Sequence, residues 1–212
     1  EPQIFLSMCE YIKDFDVLGV YTSFFNKDIT VENIGENIGK ELCKLGYSSF
    51  SVIGICVGSV VALEIAKYLE SNRKVVDNVF IGASLPTKAP RILGKTINPW
   101  SFVNRKYINY FLEKLGGEQV CFEKVSEKIF RNDTNRFFKY VNKENRINIK
   151  GAVILIFGEN DKITLGYSNK AKKWKNYIND FSLITLKNAG HYFIKSKAKK
   201  VAEIIEKSSK IN

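Results

Sequence analysis

FSVIGICVGSVVALEIAKYLE, residues 50–70, begins as a short β-branched strand pattern and continues without a break as a helix pattern. At the junction lies Gly54-Ile55-Cys56-Val57-Gly58-Ser59, a G-x-C-x-G sequence. A strand that turns directly into a helix holds its central residue in strained backbone geometry. The residues two before and two after it must then lack bulk. Gly54 and Gly58 meet that need, and Ser59 is small as well. Such a turn lifts the Cys56 sulfur above the sheet at the start of a helix. The positive end of that helix favours a thiolate, and the Val57 amide points toward a developing oxyanion. Taken alone, the motif has a competing reading as a buried core cysteine between two glycines.

Working outward, short β-branched runs alternate with amphipathic helices, the pattern of a parallel sheet covered on both faces. Strands are expected at 16–21 (DVLGVY), 50–55 (FSVIGI), 77–82 (DNVFIG), 152–157 (AVILIF) and 181–186 (FSLITL). A helix over 31–45 places Ile34, Ile38, Leu42 and Leu45 on one face, with Gly46 ending it. The helix over 57–70 is apolar enough to be buried. A last helix near 196–207 turns Val201, Ile204 and Ile205 inward and its lysines outward. From Pro86 to Lys150 the alternation stops, and no strand-like run interrupts helical pieces rich in aromatics, among them Trp100, Phe111, Phe122 and Phe137. This stretch is too long for a simple crossover and reads as a helical insertion or lid over about 86–150. Its aromatics pack the insertion onto the sheet, and a share of them is expected to line an apolar pocket.

The strand at 152–157 runs into Gly158-Glu159-Asn160-Asp161, which sets carboxylates at the carboxyl edge of the sheet. The next strand ends in Lys187-Asn188-Ala189-Gly190-His191, and His191 is the one histidine of the chain. A lone histidine is most often a satisfied structural group. Here it follows a strand end and a glycine, in the chain order nucleophile, acid, histidine. In that company G-x-C-x-G becomes the nucleophile-elbow pattern with cysteine in place of serine. The candidate triad is Cys56, Asp161 and His191, with Glu159 as a substitute acid.

Over VIGICVGSVVALEIAKYLE, VFIGASLPTKAP, ILIFGENDKIT and LKNAGHYFI the chain resembles an α/β-hydrolase. Within that fold it is similar to the thioesterases of nonribosomal peptide and polyketide assembly lines. The likeness runs over essentially the whole chain, with the aromatic insertion in the place of the lid. It implies one domain over 1–212, with a mostly parallel sheet and helices on both faces. The implied activity is thioesterase or acyltransferase: release, by hydrolysis, cyclisation or transfer, of an acyl or peptidyl chain from a carrier-protein thioester. The implied partner is an acyl or peptidyl carrier protein. No cofactor of the chain's own is implied, since the substrate rides on the carrier's phosphopantetheine. By the same resemblance Cys56 attacks the thioester, His191 moves the proton, Asp161 orients His191 and the Val57 amide holds the oxyanion. In integrated terminal thioesterases the acid often follows the strand after the elbow. Here that position reads Gly82-Ala83-Ser84, so Asp161 takes the role, as in stand-alone type II members.

Two departures bear on this implication. Most relatives carry serine where this chain has Cys56. Cysteine is found there in some thioesterase domains, in polyhydroxyalkanoate synthases and in dienelactone hydrolases. An acyl-cysteine is itself a thioester and keeps a high transfer potential, which suits cyclisation or transfer as well as hydrolysis. The second departure is upstream, where the family has a strand and a loop that supplies the other oxyanion amide. Residues 3–12 (QIFLSMCEYI) fit the helix after that loop, so the expectation is a fragment of a longer chain lacking a central strand. The alternatives are a polyhydroxyalkanoate-synthase-like or small-ester hydrolase with the same triad, or a non-catalytic hydrolase-like interaction module.

Composition excludes several other classes. The 212 residues include one histidine, so neither a Cys2His2 zinc site nor a multi-histidine metal centre is available. Cys9, Cys43, Cys56 and Cys121 are not spaced as a disulfide framework, and a reducing, cytoplasmic compartment is expected. No apolar run reaches the roughly 18 residues of a membrane helix. The net charge of +11 comes with lysine clusters at 170–175 and 195–200. These read first as solvated faces, and second as a docking face for an acidic partner. No nucleic-acid-binding module is recognisable.

Overall fold

Four of the five expected strands assemble into one parallel sheet. The protein's structure, a computed structural model, describes residues 2–22, 25–26, 28–114 and 124–209. In chain order it contains α1 (Leu6–Cys9), α2 (Val31–Lys44), β1 (Ser49–Ile55), α3 (Gly58–Ser71), β2 (Val75–Gly82), β3 (Arg91–Ile92), β4 (Lys95–Thr96), α4 (Arg105–Lys114), α5 (Lys124–Lys143), β5 (Ala152–Gly158), α6 (Tyr167–Lys170), β6 (Ser182–Leu186), α7 (Phe193–Ser196) and α8 (Ala198–Ser209). The sheet order is β1-β2-β5-β6, with every pair parallel.

The two-residue period of a strand gives this sheet a core on each side. Val79, Ile81, Val153, Leu155 and Phe157 face one cluster, built with α2, α3, α5 and the 3-10 turn Ala171–Asn176. Phe80, Ile154 and Ile156 face the other, built with α1, α7 and α8. Strands covered on both faces are apolar at nearly every position, as AVILIF is. Helix α3 is buried as its composition requires, with Leu63, Ala66 and Leu69 wholly inside. Full burial of each such leucine stabilises the fold by about 1.5–3 kcal/mol.

Helix α2 lies close along α3 because it presents glycines there. A Cβ on Gly35 would stand 2.4 Å from Glu64 Cβ, and one on Gly39 would stand 2.4 Å from Tyr68 Cδ1. Thr30 caps α2 by accepting from the Asn33 N–H. The helix ends at Lys44, so Leu45 does not join Ile34 and Ile38 in the core and is exposed instead. Gly46 follows in the left-handed region, φ +80°.

Two further expectations are corrected. Residues 16–21 do not form a strand. A strand is held by its ladder, and among the described residues 16–21 pairs with no strand, β1 being the edge of the sheet on that side. Its apolar side chains are accordingly exposed, Val17 at 42% and Leu18 at 49%. The 86–150 stretch is mainly helical, yet it also holds the β3–β4 hairpin, too short for periodicity to reveal. Trp100 packs there against Phe111 and Phe130, while Phe137 and Tyr140 of α5 enter the main core. Cys121 and Phe122 lie outside the described residues. Among the described residues no helix is long and apolar enough to cross a membrane.

Candidate active site

Cys56 sits between β1 and α3 with φ +54°, a left-handed conformation that a non-glycine residue rarely adopts. The turn is pinned on both sides. The Cys56 N–H donates to the Gly82 carbonyl at 2.8 Å, and the Cys56 carbonyl accepts from the Ser59 hydroxyl at 2.7 Å. The Ser59 and Ser84 hydroxyls are 2.7 Å apart and buried, and the Ser84 carbonyl accepts from Trp174 Nε1. The position after β2, which carries no carboxylate, thus props the elbow. Sequence reading overlooked this strut; its signal was two small hydroxyl residues in otherwise apolar surroundings.

The two elbow glycines differ. A Cβ on Gly54 would meet the Gly58 carbonyl oxygen at 2.4 Å and Ala62 Cβ at 2.8 Å, so the strand passes too close to α3 for any side chain. A Cβ on Gly58 would meet nothing within 4 Å, so the expected steric demand there is absent. Val57 is the N-cap of α3, which places its amide at the positive end of that helix.

The loops after β5 and β6 bring Asp161 and His191 together. His191 Nδ1 stands 2.9 Å from Asp161 Oδ2. Asp161 also accepts from the Thr164 hydroxyl at 2.7 Å and from the Ile163 N–H at 2.9 Å. Both members are buried, Asp161 at 1% exposure and His191 at 4%. Burial opposes a charged imidazole, but the Asp161 hydrogen bond and the facing Cys56 thiol outweigh it and push His191 up to about 10. Burial likewise opposes the Asp161 carboxylate, and its hydrogen bonds to His191, Thr164 and Ile163 outweigh that, holding it below the usual range. The next side chain, Tyr192, is pushed up to about 12, by burial first and then by the neighbouring Cys56 sulfur.

Glu159 is engaged elsewhere. Its carboxylate accepts from the Asn188 N–H at 2.9 Å, which ties the acid loop to the histidine loop. The Glu159 N–H donates to Leu186 O and the Asn160 N–H to Ala189 O. Gly158 makes this approach possible, since a Cβ there would lie 2.4 Å from Ala189 O and 2.5 Å from Gly190 O. A strand-terminal glycine facing the next loop was its only signal. Among the described residues no three His, Cys, Asp or Glu side chains group as a metal site.

A sulfur on a strained turn, facing a buried imidazole that is itself held by a carboxylate, has the parts for covalent acyl transfer. No protein-family model and no curated protein matches the sequence. Solved structures are similar in fold. ClbQ from the colibactin NRPS/PKS pathway superposes with a TM-score of 0.72 at 14% identity, over 98% of this chain and 91% of that one. RedJ, a thioesterase from the prodiginine biosynthetic pathway in Streptomyces coelicolor, gives 0.63 at 17% identity, over 82% and 69%. YbtT, a type II thioesterase from the yersiniabactin NRPS/PKS biosynthetic pathway, gives 0.58 at 13%, over 84% and 73%. The chain has the α/β-hydrolase fold, and thioesterases of natural-product pathways are among its structural neighbours.

Proposed function

We propose that the chain is a thioesterase or acyltransferase that releases an acyl or peptidyl chain from a carrier-protein thioester through an acyl-Cys56 intermediate. The observation that carries this reading is the buried His191, held by Asp161 on one side and facing the Cys56 thiol on the other.

His191 holds the proton drawn from the Cys56 thiol, and the sulfur adds to the thioester carbonyl carbon. The carbonyl oxygen gains the negative charge, and the Val57 N–H at the start of α3 donates to it. On collapse the bond to the carrier's pantetheine sulfur breaks, and that sulfur leaves with the proton from His191. A water, amine or hydroxyl then gives its proton to His191 and attacks the acyl-cysteine carbonyl. Collapse returns that proton to Cys56 and frees the product. Asp161 stabilises the imidazolium in both halves. The acceptor of the acyl group is water, an external nucleophile or the chain's own distal nucleophile. The net charge of +11 suits an acidic carrier protein, and the free thiols of Cys9, Cys43 and Cys56 suit a reducing, cytoplasmic setting.

The test is incubation with acyl-N-acetylcysteamine and acyl-carrier thioesters, followed by intact-protein mass spectrometry. The expected result is an acyl adduct on Cys56, lost in Cys56→Ala, together with release of free thiol. Turnover of esters or lactones but of no thioester would replace this reading with a small-ester hydrolase. Neither adduct nor turnover would leave a non-catalytic module.

A further inference from the structure

In the run His191-Tyr192-Phe193-Ile194, every side chain except that of Tyr192 already has a place in the molecule. His191 is the proposed base, and Phe193 and Ile194 are wholly buried in the core that α7 and α8 build on the sheet. The main chain of Tyr192 is fixed as well, since its carbonyl accepts from the Lys195 and Ser196 N–H groups at 3.0 and 3.2 Å. Its side chain is half-buried rather than enclosed. The ring stands across the His191 imidazole, at 88° with 5.4 Å between centroids. The hydroxyl has no hydrogen-bond partner among the described residues.

Other hydroxyls near the elbow and the acid are committed. Ser59 and Ser84 pair in the strut under Cys56, and Thr164 donates to Asp161. The Tyr192 phenol is pushed up to about 12, by burial first and then by the nearby Cys56 sulfur, so it keeps its proton at neutral pH.

The place of this hydroxyl limits what it can do. Nδ1 of His191 is taken by Asp161, so Nε2 exchanges protons with whatever leaves or enters at Cys56. A phenol packed on that imidazole, beside that sulfur, borders the path of both groups. In acylation the leaving group is a thiol, whose sulfur is a weak hydrogen-bond partner. In deacylation the entering group is water, an amine or a hydroxyl, which hydrogen-bonds strongly and has to be oriented.

We infer that the Tyr192 hydroxyl hydrogen-bonds the acceptor that attacks acyl-Cys56 and orients it between the acyl carbon and His191. The inference rests on the acyl-Cys56 reading and gives its second half a residue of its own. The acceptor oxygen or nitrogen bonds to the acyl carbon, its proton passes to His191, and the bond from that carbon to the Cys56 sulfur breaks. Tyr192 gives up no proton in this step and only holds the acceptor in line.

The test resolves the two half-reactions by rapid quench and intact-protein mass spectrometry. Tyr192→Phe keeps the ring against His191 and removes only the hydroxyl. Octanoyl-N-acetylcysteamine and 4-nitrophenyl octanoate both serve as donors, so that acylation does not depend on thioester recognition. Decay of octanoyl-Cys56 is expected to slow about tenfold in the variant, the upper range for one neutral hydrogen bond, while acylation stays within about twofold. Equal slowing of both steps would assign the hydroxyl to holding His191 and would overturn the inference. Slowing of acylation alone overturns it too. Acylation by the aryl ester but not the thioester, with slow decay in the variant, defeats the thioesterase reading alone. Acylation by both donors with equal decay in the two proteins defeats the Tyr192 role alone, and no adduct from either donor overturns both.

Discussion

His191 Nδ1 and Asp161 Oδ2 lie 2.9 Å apart in a setting almost closed to water, and the Thr164 hydroxyl shares the same carboxylate oxygen. Asn at position 161 would keep the shape but not the charge that steadies an imidazolium. Asp161→Asn is expected to lower thioester kcat by about 100- to 10,000-fold. Glu159→Gln, at a carboxylate that accepts from the Asn188 amide, should lower it by about tenfold or less, as for a loop contact. Steady-state kinetics on both variants checks the assignment, and equal losses would move the acid role off Asp161.

The raised His191 value also links stability to pH. A histidine that binds its proton more tightly in the folded state contributes stability in full below its unfolded value of about 6.5. That contribution is lost as pH rises through the folded value of about 10. Wild-type unfolding free energy should therefore fall between pH 6.5 and 10, as read by urea denaturation. His191→Gln should show a flatter profile across that window. Asp161 acts at the other end, where its contribution disappears as pH drops below the ordinary carboxylate range.

Gly54→Ala and Gly58→Ala should part company in a thermal melt. The first forces a methyl against the Gly58 carbonyl and Ala62, an overpacking worth about 1–3 kcal/mol or more. The second meets open space in a helix, where alanine is favoured over glycine by up to about 1 kcal/mol. Loss of stability in both would mean that Gly58 has a steric role after all.

Gly158→Ala should damage activity without touching any group in the proposed chemistry. Its methyl would push Ala189 and Gly190 away from the end of β5, and His191 follows them directly in the chain. A displacement near 1 Å at a reacting group costs about 100-fold in rate. Thioester kinetics beside far-UV circular dichroism distinguishes a displaced loop from an unfolded protein.

Much of this was legible in the sequence. Strand β5 announced itself because burial on both faces makes its run apolar throughout, whereas β1, β2 and β6, with polar residues in their runs, were marked by short β-branched stretches alternating with helix patterns. The G-x-C-x-G turn, the single histidine and the carboxylate after β5 placed three side chains at one sheet edge by chain order alone. Residues 16–21 misled because DVLGVY has strand composition, while strand formation also needs a neighbour that composition does not supply. Gly58 was read through the symmetry of the motif, whereas only three-dimensional proximity separates it from Gly54. The Ser59–Ser84–Trp174 strut and the Glu159–Asn188 tie join residues far apart in sequence through single hydrogen bonds, which no periodicity marks.

Those same ties divide the site into two sub-assemblies. One is the sulfur half, locked by Gly82, Ser59 and Ser84 around Cys56. The other is the proton half, in which the acid and histidine loops are laced into one body. Pairing of β2 with β5 registers the two halves, ending at Gly82 opposite Ile156 and extended by the Ala83 N–H donating to Ile156 O at 2.9 Å. A defect in that one seam would leave each half intact and correctly built, yet set the sulfur out of reach of its base.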